Sequence, residues 1–394
     1  MSLFVDVNRI KKNIKLIKET TKKEIMAVLK DNAYGISSNK MIEILYKCNV
    51  KWIVYNTYKE YLKDKTLIIK RHLNVLILES ITQKMINDNY KNLYLSINSK
   101  DDFLNNETYI TKPLNIHLQI DTGMNRMGIR SIDEAKEIIN LITKNKNINL
   151  DGIYTHFSSS DNEYEYYYRQ LHKFKKYLKL YPFKNIHSAA TSSLNKKIIG
   201  NMVRIGLALY GYGNRTLNLL PSISYVSRII NSFKVLPNES IGYDQKFVTK
   251  EEGYISVVPI GYYDISGVSH LIINKQKIPI VGKTCMNHLF LFSKNENKKS
   301  SQLLVLSKND IIGRVKYNWY QILISLKNAP KNFIERGSYD ISTIFKRTKK
   351  SHQKYQLRRR SYQNLSIRTI RAWWSKFSSC FKWRNTRRNI STIS

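Results

Sequence analysis

Short apolar runs rich in β-forming residues alternate with segments of helical period through the first half of the chain. The runs lie at residues 24–30, 50–56, 74–79, 92–97, 114–121, 150–155, 185–189 and 202–205. Segments of helical period precede and separate them, at residues 7–19, 37–47, 59–65, 82–89, 99–106, 131–144, 162–180 and 192–199. Strands that alternate with helices in this way form parallel sheets. Eight such units predict a (β/α)8 barrel over residues 1–216.

The pattern changes after about residue 216, where strand-like segments follow one another with turn residues between them. These segments lie at residues 223–235, 253–260, 271–281 and 288–292, and a last element extends from residue 303 to about 336. Such spacing is typical of antiparallel structure. We therefore expect a mainly antiparallel β domain over residues 217–337, in an α/β fold that begins with the barrel.

The remaining segment, residues 338–394, differs from both domains in composition. Its last 54 residues, 341–394, contain fifteen Lys and Arg and no Asp or Glu. Aromatic residues such as Trp373 and Trp374 stand among these cations, which would suit phosphate attraction and base stacking in a nucleic-acid complex. The abrupt change of composition favours a disordered basic extension, a membrane-surface segment or an out-of-frame translation over a dedicated nucleic-acid-binding module.

The whole chain has a formal net charge of +37, from 66 Lys and Arg against 29 Asp and Glu. A positive charge of this size is a common property of nucleic-acid-binding proteins. The chain is also rich in Lys, Asn, Ile and Tyr, and compositional drift toward a few residue types raises charge without selection for binding. We favour drift as the origin of the charge of the two domains.

Three widely spaced cysteines, Cys48, Cys285 and Cys380, include no CxxC pair. They indicate neither a disulfide framework nor a zinc site, and they fit a reducing cytoplasm. The first 13 residues carry charge from Asp6 onward, and they lack the apolar core of about 7–15 residues that a secretory signal needs. No run approaches the roughly 18 apolar residues of a membrane span. We expect a soluble cytoplasmic protein without a membrane span or a metal site.

Side chains capable of chemistry follow the ends of several predicted strands. A lysine, two arginines, a histidine and a pair of hydroxyls make up the set: Lys30, Arg126, Arg204, His156, Thr191 and Ser192. Loops at the carboxyl ends of the strands form the active site of a (β/α)8 barrel. We therefore expect these side chains to meet at one end of the barrel.

Several segments in the same order resemble those of alanine racemases. They are AVLKDNAYG at 27–35, DTGMNRMG at 121–128, THF at 155–157, RIGLALYG at 204–211, GY at 242–243, PIGYYD at 259–264 and GKTCMNH at 282–288. The resemblance covers about residues 3–336. It implies pyridoxal 5'-phosphate held as a Schiff base on Lys30, and interconversion of L-alanine and D-alanine that supplies D-alanine for peptidoglycan.

The resemblance also implies which residues bind this cofactor. Its phosphate would be held by the hydroxyl of Tyr34 and by the loops after strands seven and eight, a common phosphate site in barrels. Those loops offer Thr191, Ser192 and the backbone amides of Gly206 and Leu207. Arg204 would face the ring nitrogen, and His156 would orient it. An arginine does not deprotonate in proteins, so it would leave the ring nitrogen unprotonated and limit side transamination.

Racemisation needs an acid and a base on opposite faces of Cα. The resemblance assigns one face to Lys30 and the other to Tyr243, which would enter from a second subunit. It therefore implies a head-to-tail homodimer with shared active sites. Tyr262 and the backbone amide of Met286 would complete the partner's site for a small amino acid, and Arg126 would bind the substrate and supply positive charge.

Four positions depart from the family pattern. Gln119 replaces a lysine that is modified as a carbamate in many members, although its amide could still bond the Arg126 guanidinium. Asn287 replaces an aspartate, Ala190 and Thr191 replace an Asn-Ser pair, and Leu326 or a near neighbour stands where a phosphate-binding tyrosine is usual. Two alternatives stay open: a degenerate racemase scaffold that binds through its basic tail, and a racemase of another amino acid such as serine or lysine.

Overall fold

The computed structural model describes residues 1–88, 90–158, 164–214, 216–265, 268–273, 276–306 and 319–335. The strands are β1 (Ser2–Asp6), β2 (Glu24–Val28), β3 (Trp52–Tyr55), β4 (Asn74–Ser80), β5 (Leu93–Ile97), β6 (Leu114–Ile120), β7 (Ile148–Thr155), β8 (Asn185–Ala190), β9 (Met202–Ile205), β10 (Ile223–Arg228), β11 (Asn231–Val235), β12 (Gly253–Val258), β13 (His270–Ile273), β14 (Gln276–Val281), β15 (Leu289–Ser293), β16 (Gln302–Leu306) and β17 (Lys331–Ile334). The helices are α1 (Val7–Thr21), α2 (Lys30–Tyr34), α3 (Ser38–Lys47), α4 (Tyr58–Lys70), α5 (Gln83–Ile86), α6 (Lys100–Leu104), α7 (Ile132–Lys144), α8 (Tyr164–Tyr177) and α9 (Trp319–Ser325).

Strands β2 to β9 close a parallel barrel in chain order. The closing pair is β2 with β9, in which Met26 lies opposite Arg204. Because all eight strands are parallel, their carboxyl ends meet at one end of the barrel, which we call the rim. The predicted (β/α)8 barrel is therefore confirmed.

Polar residues begin several of the helices that surround the barrel. The side chain of Asp6 caps α1 by accepting a hydrogen bond from the amide of Arg9 at 3.1 Å. Thr57 and Glu60 form a capping box at the start of α4. Such side chains satisfy amides that have no partner within a helix, which fixes where each helix begins.

The other strands form a second, mostly antiparallel sheet in the order β11-β12-β15-β14-β13-β16-β10-β1-β17. The amino-terminal strand β1, which the sequence did not predict, lies between β10, to which it is antiparallel, and β17, to which it is parallel. The predicted antiparallel domain is confirmed. The boundaries at 216 and 337 stay predictions, and residues 338–394 of the predicted tail lie outside the described residues.

Four predicted elements differ from the structure. The predicted last element, from residue 303 to about 336, is divided among β16, α9 and β17 in the described residues. The predicted helix at 192–199 is wrong: only a short 3-10 helix is found there, Thr191–Ser193. The Ser193 hydroxyl bonds the backbone of Ala190, and such local bonds compete with helix formation. The predicted strand 223–235 is divided into β10 and β11, and the predicted strand 271–281 is the hairpin β13–β14.

Within the described residues, every helix is too short or too polar to cross a lipid bilayer. In the same part of the chain, no group of three His, Cys, Asp or Glu side chains is placed to hold a metal ion.

Candidate active site

Lys30 stands just beyond strand β2, at the rim, and begins the short segment α2. The backbone of residues 31–34 is left-handed, with φ between 54° and 58°. L-residues avoid this region at a cost of about 1–2 kcal/mol each. The turn is held in part by a hydrogen bond from the Asp31 amide to a carboxylate oxygen of Glu60 at 2.5 Å. Strain is therefore concentrated directly after the lysine, as is common at functional sites.

Tyr34, at the end of this turn, lies against the start of the loop after β9. A Cβ atom built on Gly206 would lie 1.9 Å from the Tyr34 hydroxyl, so only glycine leaves room for it. The hydroxyl of Thr191 accepts long hydrogen bonds from the amides of Gly206 and Ala208, each at 3.4 Å. Burial, with a smaller contribution from Tyr320, raises the pKa of Tyr34 well above its usual value. Its hydroxyl therefore keeps its proton and can donate a hydrogen bond.

Tyr320 is a site residue that the sequence analysis missed. Its ring lies 5.5 Å from the ring of Tyr34 and 5.8 Å from Nζ of Lys30. Leu326, by contrast, is buried in the hydrophobic core. The aromatic pair Trp319-Tyr320 at the start of the last helix was the signal that could have identified it.

Arg204 lies in β9 with 5% of its surface exposed. Its Nη1 lies 2.6 Å from Nδ1 of His187 and donates to the carbonyl of the same residue at 2.8 Å. Its Nη2 donates to the Thr155 carbonyl at 2.6 Å and lies 3.5 Å from Nδ1 of His156. Burial lowers the pKa of Arg204 to about 10, against the opposing effect of Tyr154, so the guanidinium keeps its charge at neutral pH.

His156 is therefore the more distant of two histidine neighbours of Arg204. Burial, followed by the positive charges of Arg204, Arg126 and Lys30, lowers the pKa of His156 to about 3. The imidazole is neutral at pH 7 and sits among the three cations that the sequence placed at the rim. The nearer neighbour, His187, was not among the predicted site residues. Its position as a polar residue inside an apolar strand was the available signal.

Gln119 does not engage Arg126 in the way the sequence allowed. Its Nε2 donates to the Met127 carbonyl at 3.0 Å, and its Oε1 accepts a hydrogen bond from the Tyr154 hydroxyl at 2.6 Å. Both ends of the amide are thus occupied, while Arg126 is exposed on its loop. Tyr154 links Gln119 to Arg204, because its ring centroid lies 5.1 Å from the Arg204 guanidinium carbon.

The predicted site residues of the second sheet lie together with Tyr263 on an exposed surface, which we call the tyrosine patch. The predicted ones are Tyr243, Tyr262 and Met286. Tyr243 is 63% exposed. The Lys283 ammonium bonds the carboxylate of Asp244 at 2.6 Å, and the Tyr262 amide donates to the Cys285 carbonyl at 3.1 Å. These bonds connect the Tyr243 loop with the loop that carries Met286. The structure thus groups the barrel residues at the rim and the others in the patch.

Comparison with known proteins identifies the family to which the chain belongs. The model of the alanine racemase N-terminal domain matches residues 5–214, and that of the C-terminal domain matches residues 222–330. Curated relatives include the alanine racemases of Fusobacterium nucleatum and Borreliella burgdorferi. The first is 31% identical over 72% of this chain and 83% of its own length. The second is 32% identical over 73% of this chain and 82% of its own length.

Solved structures share the fold at lower identity. Alanine racemase from E. faecalis superposes with a TM-score of 0.78 at 22% identity, over 84% of this chain and 98% of that one. Alanine racemase from Bartonella henselae, with covalently bound pyridoxal phosphate, gives 0.77 at 20% identity, over 84% and 99%. Histidine racemase from Leuconostoc mesenteroides gives 0.74 at 20% identity, over 85% and 98%. With both domain models matched in order across the barrel and the second sheet, the chain belongs to the alanine racemase family, isomerases that act on amino acids.

Proposed function

We propose that this chain is a pyridoxal 5'-phosphate-dependent alanine racemase that interconverts L-alanine and D-alanine in the cytoplasm and supplies D-alanine for peptidoglycan. The observation that carries the proposal is that Lys30 and Tyr34 follow β2 at the rim, while Arg204 lies buried in β9, the strand that pairs with β2. The positive charges of Lys30 and Arg204 both act on His156, and Tyr34 follows Lys30 through the left-handed turn. Free thiols at Cys48 and Cys285 fit a reducing compartment.

The residues present fit the cofactor. A phosphate dianion needs hydrogen-bond donors. Because Gly206 has no Cβ, the Tyr34 hydroxyl can lie beside the backbone of Gly206. Tyr34, Thr191, Ser192 and the amides of Gly206 and Leu207 would hold the phosphate, and Lys30 would hold the cofactor covalently through Nζ. When bound, the cofactor withdraws electrons from the substrate and eases loss of the Cα proton.

Arg204 would donate a hydrogen bond to the ring nitrogen. Its guanidinium already donates from Nη1 and Nη2 to His187 and Thr155, so its position is set before the cofactor binds. In other enzymes that use this cofactor, a carboxylate keeps the ring nitrogen protonated. An arginine stays protonated itself, so it leaves the ring nitrogen without a proton. This arrangement suits an enzyme whose task is to move one proton.

Lys30 and Tyr243 would move that proton on opposite faces of Cα. Lys30 is at the rim, whereas Tyr243 belongs to the tyrosine patch and is 63% exposed. A second copy of the chain can bring its patch to the rim of the first, which would give a head-to-tail homodimer with two shared sites. Arg126 would place positive charge near the phenolic oxygen of Tyr243 when that oxygen takes part in the proton transfer.

Arg126, Tyr262 and the Met286 amide would bind the carboxylate end of a small amino acid. Arg126 is exposed on its loop, and Gln119 is bonded to Tyr154 and Met127 instead. The same arrangement leaves Arg126 without the brace that a modified lysine gives in many family members. We therefore expect weaker alignment of the substrate than in members that carry the lysine.

Chiral analysis of purified enzyme tests this function. The full chain is incubated with L-alanine, L-serine, L-lysine and L-histidine, with and without added pyridoxal phosphate, and D-product is measured. We expect D-alanine to form fastest, only with cofactor, and Lys30→Ala to abolish both directions while retaining the fold. A faster reaction with another amino acid would change the substrate. A folded chain that takes up no cofactor and racemises nothing would support a degenerate scaffold.

A further inference from the structure

A line of hydrogen-bonded polar side chains extends from Arg204 through the interior of the barrel. Nδ1 of His187 lies 2.6 Å from Nη1 of Arg204, and Nε2 of His187 lies 2.9 Å from Nδ1 of His117. Nε2 of His117 lies 3.2 Å from Oδ2 of Asp151. Each of these four side chains is at most 5% exposed. Asn185 donates a further bond to the same carboxylate oxygen of Asp151.

The two ends of this line fix the direction of every bond in it. An arginine side chain can only donate, and a carboxylate can only accept. Nδ1 of His187 must therefore carry a lone pair, and Nε2 of His117 must carry a proton. A neutral imidazole has one N–H, so His187 bears its proton on Nε2 and donates it to Nδ1 of His117. One arrangement satisfies all three contacts.

The charges of the groups agree with this arrangement. Burial opposes ionisation of Asp151, but hydrogen bonds from His117 and Asn185 outweigh it and lower its pKa. Burial lowers the pKa of His117, and burial together with the Arg204 charge lowers that of His187 far below its usual value. The line therefore has a cation at one end, a carboxylate at the other and two neutral rings between them.

The surrounding residues leave the rings little freedom to turn. The ring of Tyr154 is stacked on His187 at 4.8 Å with an interplanar angle of 8°. Trp52 and Tyr94 lie against His117, with ring centroids 5.8 and 5.4 Å away. A Cβ atom on Gly152 would lie 2.7 Å from the His117 ring, so glycine at this position makes room for the histidine.

We propose that His187, His117 and Asp151 are positioning residues that hold Arg204 through a hydrogen-bond chain of fixed direction. Each imidazole turns a lone pair toward Arg204 and an N–H toward Asp151, so both rings stabilise the buried guanidinium charge. The contacts of Nη1 and Nη2 with His187, Thr155 and His156 leave the Nε–H of Arg204 as the donor available to a ligand. As a statement about how Arg204 is presented to the cofactor, the inference rests on the proposed function.

The direction of these hydrogen bonds can be measured through the protonation of the imidazole nitrogens. The full-length protein is labelled with 15N at histidine, and long-range 1H–15N spectra are recorded at neutral pH before and after addition of pyridoxal phosphate. We expect His117 and His187 each to show a protonated Nε2 and an unprotonated Nδ1 in both samples. A proton on Nδ1 of either ring would overturn the proposal, whatever the fate of any variant.

Asp151→Asn tests the origin of the direction. Arg204 alone still requires a lone pair on Nδ1 of His187, and the Asn amide can present its oxygen to Nε2 of His117, so we expect both rings to keep the Nε2-protonated pattern. The matched control is Asp64→Asn. Asp64 is also buried and accepts a hydrogen bond from Tyr55 at 2.6 Å, but it does not belong to the line of bonds from Arg204 to Asp151. It should leave both histidine patterns as in the unmodified protein. A proton on Nδ1 of either ring in Asp151→Asn would show that Arg204 does not set the direction of the bonds and would contradict the proposal.

The result of the histidine measurement can be distinguished from the result of the test of the proposed function. A protein that shows the expected histidine pattern but takes up no pyridoxal phosphate would overturn the proposed function and leave the chain of bonds intact. A protein that racemises alanine with a different histidine pattern would overturn only the present inference.

Discussion

Nη1 of Arg204 lies 2.6 Å from Nδ1 of His187, in the interior of the barrel. Nη2 of the same guanidinium donates to the carbonyl of Thr155, also at 2.6 Å. The two acceptors belong to different strands, β8 and β7. Arg204 therefore joins neighbouring strands beneath the rim in addition to its proposed contact with the cofactor.

Arg204→Lys should weaken the fold as well as the reaction. A lysine ammonium lacks the planar fork of a guanidinium, so it cannot reproduce the bonds that Nη1 and Nη2 make to His187 and Thr155 from two separate nitrogens. A buried acceptor that loses its donor costs about 1–3 kcal/mol. We expect the free energy of unfolding in urea to fall by about that amount, while the exposed control Arg169→Lys stays within about 0.5 kcal/mol. Equal stability of the two variants would contradict this account.

Tyr34→Phe should weaken cofactor binding and leave the fold nearly unchanged. The phenyl ring keeps its packing against Tyr320 and Tyr210, but the donor beside Gly206 is lost. A hydrogen bond contributes about 0.5–1.5 kcal/mol, and a bond to a charged group about 1.5–3 kcal/mol. We expect the Kd for pyridoxal phosphate, from absorbance titration, to rise by about tenfold or more. Tyr177→Phe removes a hydroxyl that bonds the Arg130 carbonyl and should leave that Kd unchanged.

The sequence indicated most of this architecture because its pattern is regular. All eight barrel strands were predicted, since apolar runs between helical segments are typical of one fold class. The strand β1 was missed because Ser2–Asp6 pairs with β10 and β17, far away in sequence, and such pairing leaves no local signal. His187 and Tyr320 were missed for a related reason: their roles depend on which residues they meet. The sequence offered Arg126 as a partner for Gln119, and only the folded barrel shows that its amide bonds Tyr154 and Met127 instead.

Acid should destabilise the protein through His156. Its pKa in the folded protein is about 3, below the value near 6.5 expected in the unfolded chain. Between these values the unfolded state binds the extra proton, so stability is fully present above about pH 6.5 and is lost as the pH falls toward 3. We expect His156→Gln to show a smaller loss of unfolding free energy between pH 7 and pH 4 than the unmodified protein. Identical pH profiles would show that His156 is not held neutral by the fold.

The left-handed turn after Lys30 should store strain that glycine can release. Asp31 has φ 54° and an exposed side chain, and glycine adopts this conformation without the Cβ penalty of about 1–2 kcal/mol. Part of that gain is offset by the larger entropy of glycine in the unfolded chain. We expect Asp31→Gly to raise the free energy of unfolding by up to about 1 kcal/mol. The matched control is Lys22→Gly, at an exposed site with φ 54° that ends α1. It should raise the free energy of unfolding by a similar amount.

The central claim is that Lys30 of one chain works with Tyr243 of another. Lys30→Ala and Tyr243→Phe should each abolish most alanine racemisation as separate proteins. When the two variants are refolded together, half of the dimers should be mixed, and each mixed dimer would contain one site with both residues intact. We therefore expect recovery of about a quarter of the unmodified activity. If the mixture is no more active than its parents although mixed dimers are present, the two residues do not share a site between subunits and the account is contradicted.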